Sequence, residues 1–186
     1  MKKLLIILLT LFLSLSLAAC AAPSAQTPPS PEEPPDTAVV AFDDPVLDEM
    51  VRGALGQPDG DVTLAQAQAV TRLDLSREYE RYLSEDTPIT NISGLENFTN
   101  LESLDLSFHA VSDLSPLAGL TKLTSLVLSG NPVTDVSPLA GLTSLKLLVL
   151  SDSQAQDYSA LANLADLQVL LLDNSTITDL APLASL

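Results

Sequence analysis

The side chains with chemistry to offer are few: one histidine, His109, one cysteine, Cys20, and four aspartates at a repeated spacing, Asp113, Asp135, Asp157 and Asp179. A histidine acts as a general base when a nucleophile or substrate proton lies within hydrogen-bond reach and a further group orients the ring. His109 has no such company. The serines recur at repeat spacing, as turn residues do, and no glycine-rich phosphate loop is present. No catalytic residue is assigned, and neither a cofactor nor a small-molecule substrate is implied. The four aspartates would form a column if their spacing were wound into a coil, and a column of carboxylates is an oxygen-rich setting of the kind calcium takes. One carboxylate per turn, just ahead of a helical segment, is equally placed to accept backbone N–H bonds. The second reading is preferred, and no metal ligand is assigned.

Cys20 is the residue with the clearest chemical context. Met1, Lys2 and Lys3 give a positive start, residues 4–17 are an unbroken apolar or hydroxyl run, and small residues follow. That run is short for a membrane span. It closes as Leu17-Ala18-Ala19-Cys20, which resembles the lipobox of bacterial lipoproteins residue for residue. The resemblance implies a diacylglyceryl group on the Cys20 thiol and cleavage before it, so that residues 1–19 are a signal peptide. Stable anchoring to a membrane needs more than one acyl chain, which this modification supplies. With a single cysteine in the chain, no intramolecular disulfide is possible. Residues 20–41 then read as the lipidated cysteine and a Pro-rich tether. In extended polyproline conformation its first 17 or so residues would reach about 50 Å.

The chain of 186 residues carries 24 Asp and Glu against 8 Lys and Arg, and its net charge of −16 becomes −18 without Lys2 and Lys3. Binding to nucleic acid requires basic stripes that neutralise phosphate, so a nucleic-acid partner is excluded. The acidity also repels anionic headgroups, leaving the Cys20 lipid as the route to a membrane.

Self-similarity organises the rest. Leu101, Leu123, Leu145 and Leu167 open successive 22-residue units; Leu104, Leu126, Leu148 and Leu170 follow, then Leu106, Leu128, Leu150 and Leu172. The second half of each unit repeats as Val111, Val133, Ala155 and Ile177, then Leu117, Leu139, Leu161 and Leu183. Leu-x-x-Leu-x-Leu is a short strand with alternate residues buried. Ser-Pro-Leu-Ala-Gly-Leu begins as a helix would, with Ser115, Ser137 and Ser159 as expected caps and Pro116, Pro138 and Pro182 in a first turn; the space before Gly119 or Gly141 admits only a 3₁₀-type turn. One unit cannot bury leucines that all point one way, but a stack of units can.

Residues 70–76 and 89–95 read as the two halves of an earlier unit, longer by nine residues that fall in 77–86. Ahead of it, Asp44 and Pro45 open a helix with Val46, Leu47, Met50, Val51, Ala54 and Leu55 on one face, and Thr63 and Gln66 have capping-box spacing. The unit length and the Ser-Pro-Leu-Ala-x-Leu half resemble leucine-rich repeats of the bacterial internalin type. The expected fold is therefore an α/β solenoid of 22-residue leucine-rich repeats, with short parallel strands, 3₁₀-type turns and a helical N-terminal cap over residues 42–69. Residues 70–186 hold five units, the first with an insertion, and no carboxy-terminal cap is read after Leu186. The family's strand-end asparagine is present only as Asn131, with His109, Ser153 and Ser175 at that place elsewhere, which predicts a weakened ladder.

The residues alternating with the buried leucines face outward on the concave side. They change from Arg72, Asp74, Ser103 and Asp105 to Val127, Leu147, Val149, Val169 and Leu171. Contiguous outward aliphatics mark a protein contact, although β-branched residues also suit strands for their own sake. Phe108 beside the patch, and Tyr79, Tyr82 and Arg77 in the insertion, are anchor types common at interfaces, or else packing residues of their own loop. The resemblance implies a bacterial, extracytoplasmic, lipid-anchored, non-catalytic module that binds a protein, or alternatively a glycan, as an adhesin or receptor does. The alternative from another class is the anchored stalk of a longer protein with a catalytic or wall-binding domain beyond residue 186.

Overall fold

The computed structural model describes residues 37–77 and 87–184. Five strands, β1 (Arg72–Asp74), β2 (Ser103–Asp105), β3 (Ser125–Val127), β4 (Leu147–Val149) and β5 (Val169–Leu171), form one parallel sheet in sequence order. Their register keeps the repeat in phase, with Leu73, Leu104, Leu126, Leu148 and Leu170 paired in turn. The pairing runs past the strand ends: the amides of Leu75, Leu106, Leu128 and Leu150 each bond a carbonyl of the next coil at 2.8–2.9 Å. Opposite the sheet, 3₁₀ turns at Leu95–Asn97, Ser115–Leu117, Ser137–Gly141, Ser159–Asn163 and Ala181–Leu183 return the chain. The leucine layers between the two sides are fully buried through Leu164. Burying each such side chain contributes about 1.5–3 kcal/mol, which only the adjacent coil makes possible. In the fifth coil Leu167, Leu170, Leu172, Ile177 and Leu183 are only partly buried.

The turns are capped by the aspartates, as the preferred reading of their column has it, and not by the serines. No serine side chain caps its own 3₁₀ turn. The aspartate two residues earlier does the work: Asp113, Asp135, Asp157 and Asp179 accept the amides of Ser115, Ser137, Ser159 and Ala181 at 2.8–2.9 Å. Asp113 and Asp135 also accept the Ser115 and Ser137 hydroxyls. Two short side chains close one Asx-type turn, and the proline leaves no amide unpaired. Ser115 bonding holds the Asp113 carboxyl below the usual carboxylate range, and the Ser159 amide and hydroxyl do the same at Asp157.

The coils of β2 to β5 each turn off the strand through one residue of left-handed backbone: Phe108 (φ 61°), Gly130 (φ 67°), Asp152 (φ 65°) and Asn174 (φ 55°), all 22 apart. The next residue inward is the ladder position. Asn131, buried, accepts the Val111 amide at 3.0 Å and donates to the Leu106 and Leu128 carbonyls at 2.8 and 3.1 Å. His109 does the same job with a ring. Its Nδ1 accepts the Ile89 amide at 3.2 Å and its Nε2 donates to the Leu75 carbonyl at 2.6 Å, which fixes the neutral tautomer. The ladder is thus not weakened there. At Ser153 the shorter side chain is met by Tyr158, buried where other coils have Leu114 and Val136, whose hydroxyl lies 2.7 Å from the Ser153 oxygen.

The cap consists of α1 (Pro45–Ala54) and α2 (Leu64–Ala69). The Thr63–Gln66 capping box forms as expected. Leu47 and Val51 are buried, while Ala54, expected on the same face, is exposed. Pairing of Val40 with Val62 and of Leu64 with Ala38, at 2.8 and 2.7 Å, brings residues before 42 into the folded part. The boundary between tether and cap therefore lies earlier in the chain than composition marks it. Phe42 packs on Phe98 with ring centroids 6.4 Å apart and over Gly94, where a Cβ would come within 2.5 Å of the Phe42 ring. One buried carboxylate joins cap to coil. Asp44 accepts the Val46 and Leu47 amides on Oδ1, and the Thr90 amide (2.8 Å), Thr90 hydroxyl (3.0 Å) and Asn91 amide (3.2 Å) on Oδ2.

Two predictions follow from these joints. Asp44→Ala is expected to cost about 3 kcal/mol, a lost cap plus stranded amides, and an unchanged urea midpoint would refute the clamp. Burial raises the Asp44 carboxyl, but the bonds from Thr90, Asn91 and Leu47 outweigh it and hold the group below its ordinary 3.8. Its contribution is therefore complete above that value and is lost only in stronger acid. His109 has another window. Burial lowers its proton affinity below the ordinary 6.5, reinforced by Arg77 and opposed by the Leu75 carbonyl, Asp44 and Asp105. The unfolded chain thus binds the proton more tightly, and stability falls as pH drops below 6.5, by at most about 1.4 kcal/mol per pH unit. His109→Asn should abolish that slope between pH 6.5 and 5 in denaturant melts; the same slope in the variant would assign it to another group.

Candidate functional site

Two residues per strand escape the demands of the stack, because alternation turns them away from the leucine layer. Register arranges them in two rows across the sheet. One row reads Arg72, Ser103, Ser125, Leu147 and Val169; the other reads Asp74, Asp105, Val127, Val149 and Leu171. Neighbouring strands lie about 4.8 Å apart, so each row is continuous. Val127, Leu147 and Val149 are half-buried because a strand flanks them on either side, whereas Val169 and Leu171 on β5 are each 43% exposed. The five expected patch residues are therefore brought together on one face. Farther round the fifth coil, Leu180 is 65% exposed.

The other half of the face is polar. Asp74 accepts the Ser76 amide and hydroxyl at 3.0 and 2.7 Å, and Asp105 accepts the same groups of Ser107 at 2.9 and 2.5 Å. These bonds hold each carboxylate at the sheet surface. Among the described residues neither makes a salt bridge; the one present joins Arg52 to Asp48 at 2.9 Å on α1.

The remaining expected residues fall elsewhere. Phe108 is not on a strand. It sits in the turn three residues beyond β2, half-buried, with its ring against Gly130; a Cβ there would lie 2.5 Å from the Phe108 ring, so the glycine serves both contact and backbone. Phe108 is thus partly committed to holding two coils together. Arg77, read as an interface anchor or else as packing in its own loop, is buried to 9% exposure, and its backbone amide bonds the Ser107 carbonyl. Its side chain borders a cavity of about 420 Å³ with Val46, Glu49, Met50, Ser76, Thr87 and His109. Tyr79 and Tyr82 lie outside the described residues, as does Cys20.

No catalytic geometry appears among the described residues. Both ring nitrogens of His109 are bound to backbone groups, which leaves the ring no lone pair for a substrate proton. The aspartate column closes turns, and no group of three His, Cys, Asp or Glu side chains among the described residues is disposed to hold a metal ion. The bonds from Thr90 and Asn91 to Asp44 and the pairing of Ser153 with Tyr158 escaped sequence reading. Tyr158 alone had a signal, as a large residue at a position that is aliphatic in other coils.

The comparisons with known proteins agree with this architecture. The family model described as Leucine Rich repeats (2 copies) matches residues 82–119 and 121–163. A comparison with curated protein sequences finds no match. Among solved structures, an internalin (inlF) from Listeria monocytogenes is 34% identical over 80% of this chain, with a TM-score of 0.71. The chain spans 43% of that protein's length. An internalin C2 from the same organism is 31% identical over 77% of this chain and 80% of its own, with a TM-score of 0.47. The functional domain of InlJ from Listeria monocytogenes, 21% identical over 75% of this chain and 30% of its own, has a TM-score of 0.57 and shares the fold. In repeat length, sheet topology and sequence, the chain belongs to the internalin-type leucine-rich-repeat proteins.

Proposed function

We propose that this chain is a cell-surface lipoprotein whose repeat domain holds a protein partner on its concave sheet, as an adhesin or receptor does, with no catalysis of its own. The observation that carries the reading is the run of Val127, Leu147, Val149, Val169 and Leu171 on outward positions of three adjacent strands. Outward strand positions touch only their neighbours across the sheet, so nothing in the leucine layer requires aliphatic residues there. Contiguous apolar surface of this kind marks a contact for another macromolecule. The 3₁₀ turns opposite the sheet show the contrast: apart from Leu180 in the fifth coil, their exposed positions are polar or small, and Asp113 and Asp135 close the chain there.

Lipid on Cys20 would place this face outside the cell membrane. The Pro-rich residues 21–37 would act as a spacer of about 50 Å, so that a partner borne on another surface is within reach. The absence of a free base at His109 supports a binding role over a chemical one.

Two measurements test this. Labelled fatty acid should enter the parent and fail to enter Cys20→Ala; equal labelling of both would remove the anchor. In the soluble Cys20→Ala background, Val149→Ser with Leu171→Ser should leave the circular dichroism spectrum and melting behaviour close to the parent's, because both side chains face outward. Retention on immobilised cell-surface extracts should fall at least about tenfold, as loss of central apolar anchors does at protein interfaces. Unchanged retention would remove the sheet face from consideration.

A further inference from the structure

The face has a polarity that the binding reading alone does not use. In one row, Asp74 and Asp105 stand in register on β1 and β2, followed without interruption by Val127, Val149 and Leu171. Each carboxylate spends Oδ1 on its local serine, and among the described residues no bond to Oδ2 of either is made. Two like charges side by side on adjacent strands are unfavourable in the free protein. Arg72, the one cation in the neighbouring row, pairs with neither. A cation beside the two carboxylates would relieve that repulsion, and the net charge of −16 draws cationic partners over a longer range.

We propose, resting on the reading of this sheet as the binding face, that the partner is a polypeptide segment basic at one end and aliphatic at the other, lying across the strands. Its Lys or Arg side chains meet Asp74 and Asp105, and its apolar side chains cover Val127, Val149, Leu171, Leu147 and Val169. Five strands at about 4.8 Å give a track of roughly 19 Å, the length of about six extended residues. The carboxylate end fixes the direction in which the segment lies, and the aliphatic end supplies most of the burial. A polyanion is repelled at the acidic end, which sets nucleic acid and anionic lipid aside as occupants.

The test uses the full chain and three synthetic peptides of about twelve residues, long enough to cross the sheet: one with Lys in its first half and Leu and Val in its second, one with Glu in place of Lys, and one with Ser in place of Leu and Val. Binding is followed by fluorescence anisotropy at several salt concentrations. The Lys peptide should bind saturably, and the Glu and Ser counterparts should not. Asp74→Asn with Asp105→Asn, which keeps both Oδ1 acceptors and therefore both turns, should weaken the Lys peptide about tenfold and flatten its salt dependence. Asp113→Asn with Asp135→Asn removes the same charge from the opposite side and should change binding by less than about twofold. Equal loss from both pairs, equal binding of the Glu peptide, or no saturable binding of the Lys peptide would overturn the proposal. If Val149→Ser with Leu171→Ser weakens the Lys and Glu peptides alike while the Asp74 and Asp105 variant changes neither, the face stands and its cationic partner falls. If that serine variant changes nothing, the face itself falls.

Discussion

Each coil of this protein buries its leucines only because the next coil covers them, and everything else in the structure accommodates that dependence. Leu104 is dry because Leu73 and Leu126 stand in register on either side. A strand slipped by one residue against its neighbour would turn outward what that neighbour turns inward, since side chains alternate along a strand. The 22-residue period keeps that register from β2 to β5, the longer first unit keeps Leu73 opposite Leu104 all the same, and backbone groups at the corners find partners at the same period. The left-handed residue after β2 to β5, the ladder position beside it and the aspartate ahead of the later 3₁₀ turns, with Asn91 in that place in the first coil, are the three places where this happens.

The corners show how much chemical variety one constraint tolerates. Asn131 meets it with an amide, His109 with an imidazole whose two nitrogens reach the same kinds of backbone group, and Ser153 with help from the buried Tyr158 hydroxyl. What is conserved along the coil is a donor and an acceptor at a given place, not a residue type. The first layer needs a different solution, because no coil precedes it. There α1 and α2 cover Leu73 and Leu95, and the Asp44 carboxylate ties helix start and coil return through both of its oxygens. The outward rows of the sheet carry none of these duties, so their composition is free to follow function: acidic at one end, aliphatic at the other.

Much of this was legible in the sequence. Leucine spacing located all five strands and their order, because burial imposes the same period on every coil, and Thr63 with Gln66 marked α2 through a local bond. The outward aliphatics followed from alternation alone. What the sequence concealed depends on contacts between distant residues. Arg77 and Phe108 could be read from sequence as anchors or as packing residues, and only the fold shows Arg77 buried beside His109 and Phe108 resting on Gly130, twenty-two residues away. Asp44 could be read as a helix cap, but its second oxygen serves Thr90 and Asn91, which no local pattern announces. The serine caps were misassigned because Ser and Asp both favour helix starts, and only geometry shows which of the two accepts the amide.

The central claim is that the sheet face, and not the turn side, meets the partner. A photoreactive amino acid placed at Val149, and separately at Gly119, where an added side chain meets nothing within 4 Å, tests it on intact cells. The account predicts a discrete high-mass adduct from position 149 and none from position 119. Adducts from 119 alone, or in equal amount from both positions, would contradict it.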